Sequence, residues 1–263
     1  MITDRIYRLS HAFPILNPFF RRLVFTLPHR QRLVEHFGQR LLVDPSEMHG
    51  FYLYYEHAYD DYIFDFIAAR TSRFSRALDV GANIGIYTVF LAAHFQRVDA
   101  FEPDPSNLER LKKNLDLNQC ANVAVHAVCV GDRIGSVGFK RPVAHNQGIG
   151  SIAVAGGDYQ VSSTTLDEFF AGQPIQPTLI KMDIEGAEWL ASKGMRRVLA
   201  EYGMNIAILL ETHPERLPDY GGSIVQLKDC FESYGMQVEA LTPQGLRPVA
   251  RPEAERFWWI HQS

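Results

Sequence analysis

From about residue 77 the chain alternates short β-branched or apolar runs with longer stretches of helical spacing. A run of four or five apolar residues spans one buried strand. A helix between two such runs carries the chain back so that the strands lie parallel. The first run, 77–80, ends at Gly81, and a helical pattern follows to His94. The second, 97–101, ends at Glu102-Pro103, and a helix starts near Ser106 with Leu108, Leu111 and Leu115 on its buried face. The third run covers 123–130, the fourth 179–183, and the fifth 206–210, which ends at Glu211-Thr212-His213. A helix over about 223–234 leads to runs at 237–241 and 257–260. Seven such runs predict a single doubly wound α/β sheet, a fold that binds ligands beyond the carboxyl ends of its strands. Asp79, Glu102, Asp183 and Glu211 all fall at or just past those ends, so one rim collects several acids.

The stretch LDVGANIGIYTVFLA, residues 78–92, reads as strand, turn and helix. Gly81 lets the backbone approach a ligand, and Gly85 permits close packing of the helix. A dinucleotide fingerprint starting at Gly81 needs glycine at 83 and 86, where this chain has Asn83 and Ile86. A pyrophosphate therefore lacks its glycine-lined cradle, which disfavours an NAD-dependent oxidoreductase, the competing reading. An acid after the second strand can accept both hydroxyls of a ribose. Asp79 can order the turn or face a cationic ligand. S-adenosylmethionine has a ribose, an ammonium, a sulfonium and no phosphate, and it suits such a rim.

Four stretches, DVGANIGIYT (79–88), FEPDPSNLERLKKN (101–114), TTLDEF (164–169) and KMDIEGAE (181–188), occur in this order. In that combination the chain resembles the FkbM-type, S-adenosylmethionine-dependent methyltransferases, over about residues 77–215. The resemblance implies a Rossmann-like class I methyltransferase fold, with a seven-stranded sheet whose last strand is antiparallel. It also implies methyl transfer, most often to a hydroxyl of a small metabolite, sugar or polyketide-type acceptor. Carried over by residue, Asp79, Gly81, Asn83 and Gly85 match the first cofactor loop, and Glu102 matches the ribose-binding acid. The end of the third strand should line the adenine, through Val128 or Asp132. Asp183 matches the acid beside the transferred methyl. Nitrogen or RNA acceptors are also known for such folds. A net charge of −4 and the lack of a basic stripe in 77–215 count against nucleic acid.

A neutral hydroxyl must lose its proton, and the candidate bases are Asp183, Glu185, Glu211 and His213. His213 has an ordinary pKa suited to neutral pH, although a locally bonded loop histidine is the simpler reading. Glu188 sits in the first turn of a helix, where the dipole accounts for it. Asp183, Glu185, Glu211 and His213 offer ligand atoms for Mg²⁺, but acids alone are a loose signature and no metal is expected. The glycine-rich region 131–165 reads as an insertion of hairpins or loops, with 137–139 pairing with 159–161. His145, Asn146, Gln147 and Tyr159 in it can carry substrate contacts. The aromatic stretch 51–56 either covers the cofactor or is plain core.

Residues 1–50 read as an N-terminal helical extension packed on a main domain, 51–263. Residues 1–40 hold seven arginines against two acids, together with apolar clusters. A membrane-surface helix, a lid or a partner-binding arm are the other readings of that segment. No apolar run reaches the roughly 18 residues of a membrane span, and no signal peptide is evident. Cys120, Cys129 and Cys230 form no CxxC pair. A reducing, cytoplasmic location is expected.

Overall fold

The computed structural model describes residues 23–24, 30–141, 150–154 and 156–262. Along the chain, a hairpin of β1 (Arg32–His36) and β2 (Gln39–Val43) comes first. It is followed by helix α1 (Met48–Phe51), which widens into a π turn (Tyr52–Glu56), and by α2 (Asp61–Ala68). Next come β3 (Arg76–Val80), α3 (Ile86–His94), β4 (Arg97–Phe101), α4 (Pro105–Leu117) and β5 (Val123–His126). Four short strands, β6 (Cys129–Val130), β7 (Gly135–Lys140), β8 (Ser151–Ile152) and β9 (Tyr159–Thr164), make a second sheet in the order β6-β9-β7-β8. The chain continues through α5 (Leu166–Phe169), β10 (Thr178–Met182), α6 (Glu188–Lys193), α7 (Arg196–Tyr202) and β11 (Ile206–Glu211). It ends with α8 (Ile224–Ser233), β12 (Gln237–Thr242), β13 (Gly245–Pro248) and β14 (Phe257–His261).

The main sheet has the order β13-β12-β14-β11-β10-β3-β4-β5. The five strands from β11 to β5 are parallel. The strand latest in sequence, β14, runs antiparallel to both its neighbours. Eight strands replace the expected seven. The extra one, β13, turns back from β12 through a tight loop, with Thr242 opposite Gly245. Its polar, proline-ended residues carry no apolar run.

Every residue of β3, β10 and β11 is buried, because apolar layers cover both faces of the sheet. Alternate residues divide between two cores: Ala77, Leu179, Leu209 and Trp259 join one, Leu78, Ile180, Leu210 and Trp258 the other. At about 25 cal/mol per Å² this two-sided burial is the main source of stability.

In the part of the expected helical extension that the structure describes, residues 32–43 form a hairpin instead. Phe37 and Gly38 both have positive φ, 47° and 74°, which fits a two-residue turn matched to strand twist. Leu33 and Glu35 are exposed there while Val34 and His36 turn inward, an alternation of burial that the sequence does not carry as apolar against polar. Residues 1–22 and 25–29, with most of the arginine-rich segment, lie outside the described residues. The run 123–130 is also divided: β5 stays in the main sheet, while β6 leaves for the second one. In that second sheet Val137, Gly138 and Phe139 pair with Val161, Gln160 and Tyr159, the two segments the sequence pairs. Among the described residues no helix is long and apolar enough to cross a membrane.

Candidate active site

The direction of winding reverses between β3 and β10, and a crevice opens at the carboxyl ends of the strands there. The β3–α3 turn forms its floor. A Cβ on Gly81 would lie 1.9 Å from the Asp183 carbonyl oxygen, and Gly81 has φ +85°. Only glycine lets β3 pass so close to the end of β10. Gly85 meets the Leu111 side chain, 2.5 Å from where its Cβ would be, so it serves contact with α4.

Glu102 follows β4 and is buried. Its carboxylate accepts from the backbone N–H groups of Asn83 and Asp104, each at 2.8 Å. Burial outweighs those bonds and pushes its pKa up to about 7. The Asn107 amide adds a longer bond at 3.4 Å, so the turn, the β4 end and α4 are tied together through one carboxylate that lines the crevice.

Asp79 takes a different place from the one expected of a ligand-facing acid. It is fully buried, accepts from the Thr88 hydroxyl at 2.6 Å, and sits 3.5 Å from Lys181. Its reach is inward, to α3 and β10, so it orders the turn. Lys181 spans the two strands, 3.5 Å from Asp79 and 3.6 Å from Asp183. Burial opposes its charge, but Asp79 and Asp183 prevail and raise its pKa.

Val128 and Asp132 do not line the crevice. Cys129 and Val130 do, because β6 swings into the second sheet and carries the chain past the rim. Asp132 instead pairs with Arg133 at 3.0 Å and Lys193 at 3.9 Å beside a separate cavity. From the insertion, Phe139 and Ile152 close over the crevice. The Tyr159 hydroxyl donates to Asp104, the cap of α4. His145, Asn146 and Gln147 lie outside the described residues.

Asp183 separates this narrow crevice from a wider cavity of about 660 Å³. Burial pushes the Asp183 pKa up, but Lys181, His213, His49 and Arg256 together hold it below the usual carboxylate value. Its Oδ1 atom is inaccessible and has no hydrogen-bond partner, and neither has Asn83 Oδ1. Two orphaned acceptors thus border one crevice.

Around the wide cavity, the expected acids are paired. Glu185 takes a hydrogen bond from Arg216. Burial first, then Asp183, raise its pKa. Glu211 accepts from Arg256 at 2.8 Å, and Arg256 also reaches Asp60 at 3.1 Å. Burial and the neighbouring Asp183 push Glu211 up to about 8.

His213 departs from the expected neutral base. Its Nδ1 donates to Glu188 at 2.9 Å, and its Nε2 lies 3.7 Å from both Asp183 and Glu185. Burial opposes the charge, yet Glu188 and then Asp183 and Glu185 drive its pKa up to about 10. It is an imidazolium at neutral pH. Glu188 is accordingly more than a helix-dipole acid: it is fully buried, and one oxygen also accepts from the Ile184 and Gly186 backbone. Asp183, Glu185 and His213 place ligand atoms within 4.8 Å of one another, but each acid already has a protein cation beside it.

Sequence reasoning missed His49, Asp60, Lys181, Arg216 and Arg256. His49 lies in the stretch read as an extension, and Asp60 lies between the aromatic stretch 51–56 and β3. Arg256 directly precedes the closing strand, where a charge among aromatics was the available signal. In the stretch 51–56, Phe51, Leu53 and Tyr55 are core, and Tyr52 lines the wide cavity.

Comparison with known proteins adds the following. The family model described as methyltransferase FkbM domain matches residues 79–237. The hexuronic acid methyltransferase AglP of Haloferax volcanii is 29% identical over 137 residues, 51% of this chain and 54% of that protein. The match thus spans about half the length of that curated relative. Among solved structures, methyltransferase FkbM from Methylobacillus flagellatus is similar with a TM-score of 0.47 and 24% identity, covering 72% of this chain and 44% of that one. A TehB-like SAM-dependent methyltransferase from Corynebacterium glutamicum gives 0.42 and 16%, covering 77% and 87%.

Proposed function

The chain belongs to the FkbM methyltransferase family, and from that premise we propose that it moves a methyl group from S-adenosylmethionine to a hydroxyl of a small, sugar-class acceptor. The observation that carries the reading is the crevice, where Glu102 and the orphaned oxygens of Asn83 and Asp183 supply acceptors and the first turn has Asn83 and Ile86 where a phosphate cradle needs glycine. The cofactor's ribose hydroxyls and ammonium are donors, so the two sets match. When bound, the cofactor supplies an electrophilic methyl on a positively charged sulfur.

The chain's residues then have distinct tasks. Glu102 holds the ribose from a position fixed by two backbone N–H groups. Asn83 and Asp183 satisfy the ammonium. Cys129 and Val130 offer an apolar wall for the adenine. The Asp183 carboxylate, kept ionised by Lys181 and His213, places negative charge where the two cavities meet. Such charge, fixed in a site away from water, stabilises a reacting cation more than it would in solution.

The wide cavity suits the acceptor. Its charged groups form pairs that bring donors and acceptors side by side: Glu185 with Arg216, and Glu211 with Arg256 and Asp60. A polyhydroxylated ring can bond to both members of such pairs. The similarity to a protein named for hexuronic acids points to the same class. Holding oxygen, methyl and sulfur in line is the larger part of the catalysis, worth up to roughly 7–11 kcal/mol in well-oriented systems. No metal is required, because protein cations already neutralise the acids.

Two measurements test this. Calorimetry should show that S-adenosylhomocysteine binds. Isotope-labelled donor should then deliver label to hexuronic acids, neutral hexosides or amino sugars in a panel. Absence of binding by both S-adenosylmethionine and S-adenosylhomocysteine would refute the reading.

A further inference from the structure

Helix α1 lies outside the stretch matched by the family model, yet the chain fixes it with unusual care. Glu47, just before it, accepts a forked pair of hydrogen bonds from Arg110 of α4, at 2.8 and 2.7 Å. Asp44 accepts from the backbone N–H and the hydroxyl of Ser46 at 2.9 and 2.6 Å. A Cβ on Gly50 would sit 1.9 Å from the Asp44 carbonyl oxygen, so the helix can fold back onto that turn only with glycine there. Asp44, Ser46, Glu47 and Gly50 are all buried, and Arg110 is half-buried.

What this scaffold delivers is His49, which lines both the narrow crevice and the wide cavity. Its ring meets Tyr59 edge-on at 5.4 Å. No hydrogen bond engages the ring among the described residues. Asp183 faces it with negative charge, and Lys181, Arg110 and Arg256 with positive. Burial first, then those cations, push its pKa down to about 4, so the imidazole is neutral.

We propose that His49 is the group that accepts the acceptor's proton, with Asp183 stabilising the imidazolium that results. The inference rests on the methyl-transfer reading above. As the acceptor oxygen gains the methyl carbon, the carbon–sulfur electron pair stays on the departing thioether. The O–H proton passes to an imidazole nitrogen and then leaves through the wide cavity.

The other candidates are less suited to that task. His213 already carries its proton between Glu188 and Asp183, Glu211 is engaged by Arg256, and Glu185 by Arg216. Protonating Asp183 would strip Lys181 and His213 of the anion they surround. A proton on His49 instead leaves that anion in place and adds a positive charge on the cavity walls that both residues line.

The test uses the full chain as wild type, H49Q and H49K, with S-adenosylmethionine and S-adenosylhomocysteine as probes in calorimetry. H49Q should bind both within about threefold of wild type. H49K should keep S-adenosylhomocysteine but lose roughly tenfold or more for S-adenosylmethionine, because its ammonium would face the sulfonium. Equal effects on the two probes would place the ring away from the reacting centre and overturn the proposal. Histidine ¹⁵N spectra supply a second readout, with H49Q assigning the signal. In the S-adenosylhomocysteine complex at pH 7, His49 must be neutral, and an imidazolium there overturns the proposal whatever the variants do. A wild type that binds neither probe would refute the methyltransferase reading instead.

Discussion

Glu102→Gln and Glu102→Ala separate the role of this carboxylate in the ligand site from its role in the fold. In the free protein Glu102 satisfies two buried N–H groups, Asn83 and Asp104, at 2.8 Å each. Alanine leaves both unpaired, which costs about 1–3 kcal/mol apiece. A melting temperature lower by several degrees is expected, since a chain of this size loses about 2–4 °C per kcal/mol. Glutamine keeps an acceptor oxygen and the shape, so its melting point should fall by less.

For the ligand, two hydroxyl bonds to a carboxylate are each worth about 1.5–3 kcal/mol. Alanine should therefore weaken S-adenosylhomocysteine by about a hundredfold or more, and glutamine by about tenfold. The pH dependence is a sharper test, because the folded pKa of about 7 lies above the ordinary 4.5. A carboxyl raised in this way is protonated below about 7 and loses acceptor capacity. Affinity should thus drop about tenfold from pH 8 to pH 6 in wild type and stay flat in Glu102→Gln. Calorimetry at the two pH values, on samples with verified melting curves, makes the measurement. Unchanged affinity in a folded Glu102→Ala protein would refute the assignment of this crevice to the cofactor.

The same raised pKa means that Glu102 favours folding below about pH 4.5 and that this contribution is lost as pH rises through 7. His213 has the same sign at higher pH: its contribution is complete below 6.5 and is lost as pH rises through about 10, so urea midpoints should fall over that window. His213→Ala strands the buried Glu188 carboxylate and should cost roughly 3–5 kcal/mol in the same urea titration; a loss under 1 kcal/mol would show that Glu188 finds another partner. Gly81→Ala must move the Asp183 carbonyl from 1.9 Å and adopt φ +85°, so the variant should fail to bind S-adenosylhomocysteine, or fail to fold, by circular dichroism and calorimetry. Exhaustive chelation should leave turnover unchanged, and a loss restored by Mg²⁺ or Mn²⁺ would assign a metal to Asp183, Glu185 and His213.

The main sheet was legible because its strands are buried on both faces, and such strands carry continuous apolar runs such as 206–210. β13 was hidden for the opposite reason: it is an edge strand with one partner, and Leu246 is its main apolar residue. The β1–β2 hairpin differs from the helical extension expected there because arginines and apolar clusters dominate residues 1–40, while the Phe37-Gly38 turn gives a weak local signal. In the site, the acids at strand ends were found because their position follows from the winding of the sheet. The direction each acid faces was not, since that depends on partners far away in sequence. Asp79 turns inward to meet Lys181, and Glu188 turns inward to meet His213. His49 gave no signal: it is one histidine on a four-residue helix, and its place follows from the Glu47–Arg110 pair, 63 residues apart.

These partnerships account for the charge of His213 and the neutrality of His49. Each of the two imidazoles is largely buried, and burial alone would keep both neutral. His213 has a carboxylate within hydrogen-bond distance and two more at 3.7 Å, enough to overcome desolvation. His49 faces one carboxylate against three cations, so desolvation prevails. The seam between the cavities therefore holds one fixed positive imidazole, one neutral imidazole and an ionised Asp183. Folding leaves Asp183 Oδ1 and Asn83 Oδ1 without hydrogen bonds, a cost of about 1–3 kcal/mol for each buried group. Asp183 Oδ1 has only the His213 imidazolium at 3.7 Å to offset that cost, whereas a ligand bearing an ammonium would supply the missing donors. Binding at the crevice can relieve those two, and ligand-induced stabilisation should vanish selectively when those two acceptors are removed.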